Sequence, residues 1–96
     1  MSEYLDKKFN EIPKDFLKEV VEFLEKEFTD EAKEAIRTLH KENGEDWAIP
    51  FHSDWGMGIR NALRQADFVD RMLPDNNWDD YYIQVVEAAV GIRKVE

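Results

Sequence analysis

Apolar residues recur every three or four positions between Pro13 and Glu27, which is the spacing of one helix face. Pro13 suits a first helical turn because its missing N–H would have no partner there, and Asp15 places negative charge where the helix dipole favours it. The apolar arc is wide, so we expect more than one neighbouring element to cover this helix. The arc consists of Phe16, Leu17, Val20, Val21, Phe23, Leu24 and Phe28.

A second helix is predicted directly after the first, with about one residue between them. Thr29 is a typical N-cap, and Asp30 and Glu31 follow it in the first turn. Such a short joint favours a sharp bend over an antiparallel pair of helices. The apolar stripe of this second helix consists of Ala32, Ala35, Ile36 and Leu39.

The residues before Pro13 carry apolar side chains among charged ones. Tyr4, Leu5 and Phe9 predict a short helix that folds over the core. The alternative is that these side chains are exposed, in which case they would form an aromatic anchor for a protein partner.

The helical period stops between Glu42 and Ser53, where Gly44 and Pro50 occur. We interpret this stretch as a loop between the second and third main helices, held to the core by apolar anchors. The predicted anchors are Trp47, Ala48, Ile49 and Phe51.

Ser53 is the predicted N-cap of a third helix, which runs from about Asp54 to Gln65. Residues 66–73 either continue this helix or bend away from it. Pro74 ends the helical segment because it disfavours the α conformation in the preceding residue. The packing residues of the third helix are Trp55, Ile59, Ala62 and Leu63, and the predicted turn after Pro74 is formed by Asp75, Asn76 and Asn77.

Asn77 is also the predicted N-cap of the last helix, with Asp79 and Asp80 in its first turn. Arg93 and Lys94 suit the negative end of the same helix. Its apolar face, spaced as one side of a helix, consists of Tyr82, Val85, Val86 and Ala89. The pattern as a whole predicts an all-α protein of four main helices.

A length of 96 residues and a mass of 11.4 kDa correspond to one domain, so we expect a single helical domain over residues 1–96. The hydrophobic fraction of 43% is enough to fill a core, which excludes wholesale disorder. The absence of cysteine excludes disulfides, thiolate zinc sites and cysteine nucleophiles. Without a long apolar run or a basic-then-apolar N-terminus, we expect no membrane span, no secretory signal and a cytoplasmic location.

The formal net charge of −9 disfavours direct binding to nucleic acid. Most acidic residues lie in the first half of the chain, and two interpretations of them stay open. They form the solvated face of helices, or they mimic nucleic-acid phosphates for a basic nucleic-acid-binding protein, as a phage-encoded or mobile-element anti-defence inhibitor would. Lysines interspersed among the acids weigh against mimicry. The acidic surface in question is formed by Glu19, Glu22 and Glu25.

The densest cluster of unusual residues lies between positions 51 and 61. Gly56 and Gly58 near a helix start need a reason, because each costs about 1 kcal/mol relative to alanine in a helix interior. We expect the first turn of this helix to lie close to Trp47, Trp55 or another helix. The alternative is that its backbone N–H groups are left open for an anion.

Within this cluster, His52, Gly56, Ile59, Arg60 and Asn61 follow the pattern H-x-x-x-G-x-x-I-R-N. The pattern resembles the motif of a small bacterial domain family to which no activity is assigned. In that family the motif follows an acidic helical region and precedes an Asp-rich helix start, and both features have counterparts in this chain. The Trp-containing run that often follows the asparagine in the family is missing. The resemblance implies a helical domain and carries no activity with it.

Two interpretations of His52, Arg60 and Asn61 stay open. They could line a ligand pocket or active site as a proton carrier, an anion clamp and an orienting amide, with Arg64 joining Arg60 to grip a phosphate or carboxylate. Alternatively, Arg60 and Asn61 tie the third helix to the Asp pair of the last helix, while His52 bonds to backbone. We prefer the structural interpretation, because a small helical domain needs polar contacts that fix how its helices cross. Trp55 is a further candidate for partner contact.

No metal site is predicted, since His40 and His52 have no recognised ligand spacing, and no cofactor is expected. No complete catalytic constellation is present either, so the sequence favours a non-enzymatic role. The leading hypothesis is therefore a small acidic protein-interaction module, with the nucleic-acid-mimicking inhibitor and the ligand-binding domain or enzyme as alternatives.

Overall fold

Helices are the regular elements of residues 3–74 and 77–93, the part of the chain that the computed structural model describes. Within these residues there is no strand, and the helices pack into one compact globule, which confirms the predicted all-α class. None of these helices is both long and apolar enough to cross a membrane. The α-helices are α1 (Glu3–Glu11), α2 (Lys14–Glu27), α3 (Asp30–Asn43), α4 (Trp55–Gln65) and α5 (Tyr82–Ala89); short 3-10 helices cover Gly44–Phe51, Asp70–Met72 and Trp78–Asp80.

Helices α2 and α3 follow the predicted boundaries closely. Pro13 is predicted within the first turn but occupies the N-cap position just before α2, and Phe28 adopts an extended backbone that turns the chain into α3. Thr29 is the N-cap of α3 as predicted, because its hydroxyl accepts a hydrogen bond from the Ala32 N–H at 3.1 Å. Helix α3 continues to Asn43, beyond its apolar stripe, and ends where Gly44 takes a left-handed φ of 66°.

The predicted aromatic loop is instead a 3-10 helix, Gly44–Phe51, packed on α3. Trp47 and Ala48 are buried in the core, as expected of anchors. The prediction is wrong for Ile49 and Phe51, which are exposed. Three residues complete one turn of a 3-10 helix, so a single neighbour covers only part of the side chains.

Helix α4 begins one residue later than predicted, and Ser53 is not its N-cap. The N-cap position is occupied by Asp54, whose side chain forms no capping hydrogen bond, while Ser53 lies in the preceding turn. At its C-terminus the chain bends rather than continues. Asp67 takes a left-handed φ of 70°, and the Phe68 N–H bonds to the Leu63 carbonyl at 2.9 Å, which is the hydrogen-bond pattern of a Schellman motif.

The last helix begins later than the sequence predicts. Asn77 does act as a cap, but its side chain accepts from the Asp79 N–H at 3.0 Å and so caps the 3-10 helix Trp78–Asp80, whereas α5 starts at Tyr82. Leu73 is extended before Pro74, as predicted. Asp75, Asn76 and Lys94 lie outside the described residues.

Helix α5 is the central element and contacts α1, α2 and α4. The predicted apolar face is buried, and so are polar positions on the other side of the helix. Glu87 is only 2% exposed. Its carboxylate accepts from Trp47 Nε1 at 3.1 Å and from Arg93 Nε at 2.8 Å, and His40 Nε2 lies 3.6 Å away. This buried carboxylate therefore joins α3, the 3-10 helix, α5 and the residues after α5.

Candidate functional site

Arg60 is the centre of the polar cluster that the sequence motif predicts. Only 6% of this residue is exposed, although its side chain is charged. Its Nε lies 2.8 Å from Asp79 Oδ1, and its guanidinium lies over the Tyr82 ring, 4.9 Å from the centroid. Nη1 also donates to the His52 carbonyl at 3.4 Å. We call His52, Arg60, Asp79 and Tyr82 the Arg60 cluster.

The imidazole of His52 completes this cluster. Its Nδ1 lies 2.9 Å from the Tyr82 hydroxyl and 3.4 Å from Arg60 Nη1. The short contact between Nδ1 and the Tyr82 hydroxyl is a hydrogen bond that links the turn before α4 to α5. Burial raises the pKa of the Tyr82 hydroxyl, which keeps that group protonated as a donor.

The arrangement corresponds to the structural interpretation of the motif. Arg60 ties α4 to Asp79 in the 3-10 helix before α5, as predicted. Two details of the prediction are wrong: Asn61 takes no part in this tie, and the imidazole of His52 bonds to a tyrosine side chain instead of backbone. A sequence pattern could not reveal Tyr82 as the partner, because the two residues are 30 positions apart.

Gly56 is required by the same cluster. A Cβ atom at this position would lie 2.5 Å from the Tyr82 hydroxyl oxygen, far inside van der Waals contact. The predicted close approach is therefore confirmed for Gly56, with α5 as the neighbour. Gly58 has nothing within 4 Å of an added Cβ, so close approach does not explain the second glycine.

Arg64 belongs to a separate group of contacts. Its guanidinium binds the Asp70 carboxylate in a bidentate manner, at 2.7 and 2.9 Å, and also donates to Asn61 Oδ1 at 3.1 Å. The Trp78 N–H donates to the same carboxylate at 3.1 Å. Hydrogen bonding from Arg64 lowers the pKa of Asp70 to about 2. Arg60 and Arg64 therefore bind different carboxylates of the chain and do not form the shared anion clamp that we considered.

Trp55 lies apart from the Arg60 cluster. Its half-buried ring stacks on Phe28 with centroids 6.2 Å apart and meets the edge of Trp47 at 5.9 Å. These contacts attach the start of α4 to the end of α2 and to the 3-10 helix Gly44–Phe51. The Trp55 ring thus makes these aromatic contacts within the fold.

The acidic surface of α2 is exposed, as the sequence predicts for Glu19, Glu22 and Glu25. Two of these residues line an open depression of about 530 Å³ between α2 and α5. Lys18 lies in the same depression, so positive charge interrupts the acidic surface there. Among the described residues, no group of three acidic or histidine side chains could hold a metal ion.

A different surface was missed by sequence reasoning. Ile49 is 66% exposed, Phe51 37% and Met57 48%, and Pro50 between the first two is exposed as well. The sequence pattern predicts Ile49 and Phe51 as core anchors, because apolar residues beside a buried tryptophan usually pack with it. We call these four exposed residues, Ile49, Pro50, Phe51 and Met57, which lie close together in the sequence, the 49–57 surface.

Comparison with known proteins adds no relative: no protein-family model matches the chain, and no curated protein or solved structure matches it significantly. The resemblance carried by the His52 to Asn61 motif therefore stays a prediction, and the function has to be inferred from the geometry.

Proposed function

We propose that this protein is a non-enzymatic protein-interaction module that binds its partner through the 49–57 surface. The observation that carries the proposal is the run Ile49-Pro50-Phe51, three consecutive apolar residues that are all exposed. Isolated apolar residues are common on protein surfaces, whereas a contiguous exposed run disfavours solubility unless something covers it.

The exposure of this surface does not come from a loosely attached segment. Trp47 and Ala48 are buried immediately before it. Arg60 holds the His52 carbonyl directly after it, and Gly56 packs against Tyr82 beside Met57. The apolar side chains are thus presented on a backbone that is fixed at both ends. Such preorganisation lowers the entropic cost of binding a partner.

The competing functions have less support in the geometry. In the Arg60 cluster the guanidinium is paired with Asp79 and the His52 imidazole with the Tyr82 hydroxyl, so these groups already have partners within the chain. The acidic surface of α2 is interrupted by lysine, which does not favour mimicry of nucleic acid. Our proposal places the module in the cytoplasm, on the sequence grounds given above.

The proposal can be tested by capturing partners from the cytosol of the native host at physiological salt. The full chain would be compared with the double variant Ile49→Asp/Phe51→Asp. A matched control is Met72→Asp, since Met72 is 45% exposed but lies outside the 49–57 surface. Circular dichroism would verify that all three proteins keep the same helix content.

We expect a stoichiometric partner with the unmodified chain and the Met72 variant, and its loss with the double variant. Capture of the same partner by the double variant would show that another surface binds it. Absence of any stoichiometric partner would contradict the interaction function itself.

A further inference from the structure

We infer that the partner of the 49–57 surface is a basic amphipathic segment, with apolar residues that cover Ile49, Phe51 and Met57 and with lysine or arginine around them. This inference rests on the proposed function and adds the chemistry of the partner. Three features carry it: the composition of the chain around the surface, the position of the acidic side chains, and the net charge of the whole protein.

The chain around this surface has an unusual charge composition. From Glu42 to Ile59 there is no lysine or arginine, although the rest of the sequence has both signs interspersed. The stretch contains four acidic residues, namely Glu42, Glu45, Asp46 and Asp54. Positive charge on a partner would therefore meet attraction from this segment, which carries no lysine or arginine of its own.

In the sequence, acidic residues occur on both sides of the apolar run. Asp46 comes three positions before Ile49, and Asp54 comes three positions after Phe51. Glu42, Asp46 and Asp54 are all exposed. An apolar centre with charged residues at its margins is the usual anatomy of a protein interface, in which the apolar contacts supply most of the affinity and the rim supplies partner choice.

The net charge of −9 disfavours a second copy of this chain as the occupant. Two copies that met through the 49–57 surface would bring their acidic margins together, and like charges across an interface oppose association. A surface of anionic lipids would be repelled for the same reason. A basic amphipathic segment satisfies both the apolar centre and the acidic margins.

The test uses a defined probe, a synthetic amphipathic helical peptide of leucine and lysine, and a matched peptide in which glutamate replaces every lysine. Binding of each dye-labelled peptide to the full chain would be measured by fluorescence anisotropy at low and physiological salt. We expect the lysine peptide to bind, the glutamate peptide not to bind, and salt to weaken the complex.

Three variants locate the binding surface. Ile49→Ser/Phe51→Ser, which removes two apolar contacts without changing the charge, should weaken binding of the lysine peptide at least about tenfold. Asp46→Asn/Asp54→Asn should weaken binding of the lysine peptide several-fold and reduce the salt dependence of that binding. The matched control Glu19→Gln/Glu22→Gln/Glu25→Gln removes acidic charge from α2 and should leave the affinity within about twofold.

The outcomes separate this inference from the function on which it rests. If the α2 control weakens binding as much as the Asp46/Asp54 variant, attraction to the overall charge explains the complex and the inference is wrong. Equal binding of both peptides, or concentration-dependent dimers in light scattering, would also overturn it. If the natural partner is lost with the Ile49/Phe51 variant but kept by the Asp46/Asp54 variant, the interaction function stands and the basic partner does not.

Discussion

At the scale of single residues, Arg60 shows how one charged side chain connects distant parts of a small domain. It contacts a carboxylate, an aromatic ring and a backbone carbonyl that belong to three different segments. Each contact is modest on its own, but together they bury a charge that would otherwise remain in water. These contacts lead us to predict that Arg60 stabilises the fold.

We predict that Arg60→Ala lowers the free energy of unfolding by about 2 kcal/mol, which corresponds to a fall of roughly 10 °C in Tm for a domain of this size. The cost stays below that of a fully buried pair because Asp79 is half-exposed and regains water. His52→Ala should cost about 1 kcal/mol, the value of its bond to Tyr82. Thermal melts would measure both changes.

The control for this prediction is Arg71→Ala, because Arg71 is an exposed arginine. Its melting curve should overlie that of the unmodified protein. If Arg60→Ala behaved in the same way, the Arg60 cluster would not stabilise the fold, and the ligand-site interpretation of the motif would gain support.

Two neighbouring glycines make a matched pair for a second prediction. Gly56→Ala should destabilise the domain by about 1–3 kcal/mol, because the new methyl group meets the buried Tyr82 ring and hydroxyl, which cannot move aside. Gly58→Ala should stabilise it by about 0.5–1 kcal/mol, since the site is open and alanine is the better helix former. Urea denaturation of both variants checks the opposite signs; the same sign for both would contradict the role of Tyr82.

At the scale of elements, short polar links fix how the chain passes from α4 to α5. Asp70 is an example, since its carboxylate binds Arg64 on α4 and the backbone of Trp78. The Trp78 indole in turn donates to the Phe68 carbonyl at 2.7 Å. The chain after α4 is thus closed into a compact connection that leads to α5.

The Asp70 link predicts a pH dependence of stability. Its pKa of about 2 in the folded protein lies below the ordinary 3.8, so ionised Asp70 stabilises the fold, fully above about pH 5. This contribution is lost as the pH falls from about 4 through 2. After allowance for solvent screening, it amounts to about 1 kcal/mol.

Asp70→Asn should therefore be less stable than the unmodified protein at pH 7, and the difference in stability should shrink as the pH falls toward 2, where Asp70 is about half protonated in the folded protein. Urea denaturation at pH 7, 4, 3 and 2.5 gives the comparison. A stability difference that stays constant over this range would mean that ionisation of Asp70 does not stabilise the fold.

At the scale of the whole molecule, the excess of negative charge opposes compaction. Exposed acids on α2 contribute to it without any packing role, since Glu19, Glu22 and Glu25 all face solvent. Screening by salt reduces repulsion among such charges. The charge that favours a basic partner is therefore also a cost to the folded protein.

We predict that raising NaCl from about 10 to 150 mM increases the Tm by a few degrees. Reversal of Glu19, Glu22 and Glu25 to lysine adds two charges per site, which brings the net charge from −9 to −3. The reversed protein should keep its fold and show a smaller increase. Differential scanning calorimetry measures both curves, and an equal increase in both proteins would rule out long-range repulsion as the cause.

The sequence by itself determined the helical class, the boundaries of α2 and the start of α3. These features depend on a proline, a capping threonine and an apolar period, all of which act within about one helical turn. The motif also pointed correctly to Arg60 as a tie to the Asp pair before the last helix, and the cost of glycine near a helix start pointed to a close approach at Gly56.

Only the tertiary structure decided which partners these residues meet. His52 meets Tyr82 30 positions away, and Trp47 meets Glu87 40 positions away, because the crossing of the helices brings them together. The same applies to the 49–57 surface. Ile49 and Phe51 are as apolar as Trp47, and no local pattern tells which side of a 3-10 helix faces α3. Whether a side chain is exposed depends on whether another element packs against it, and only the complete tertiary structure determines that packing.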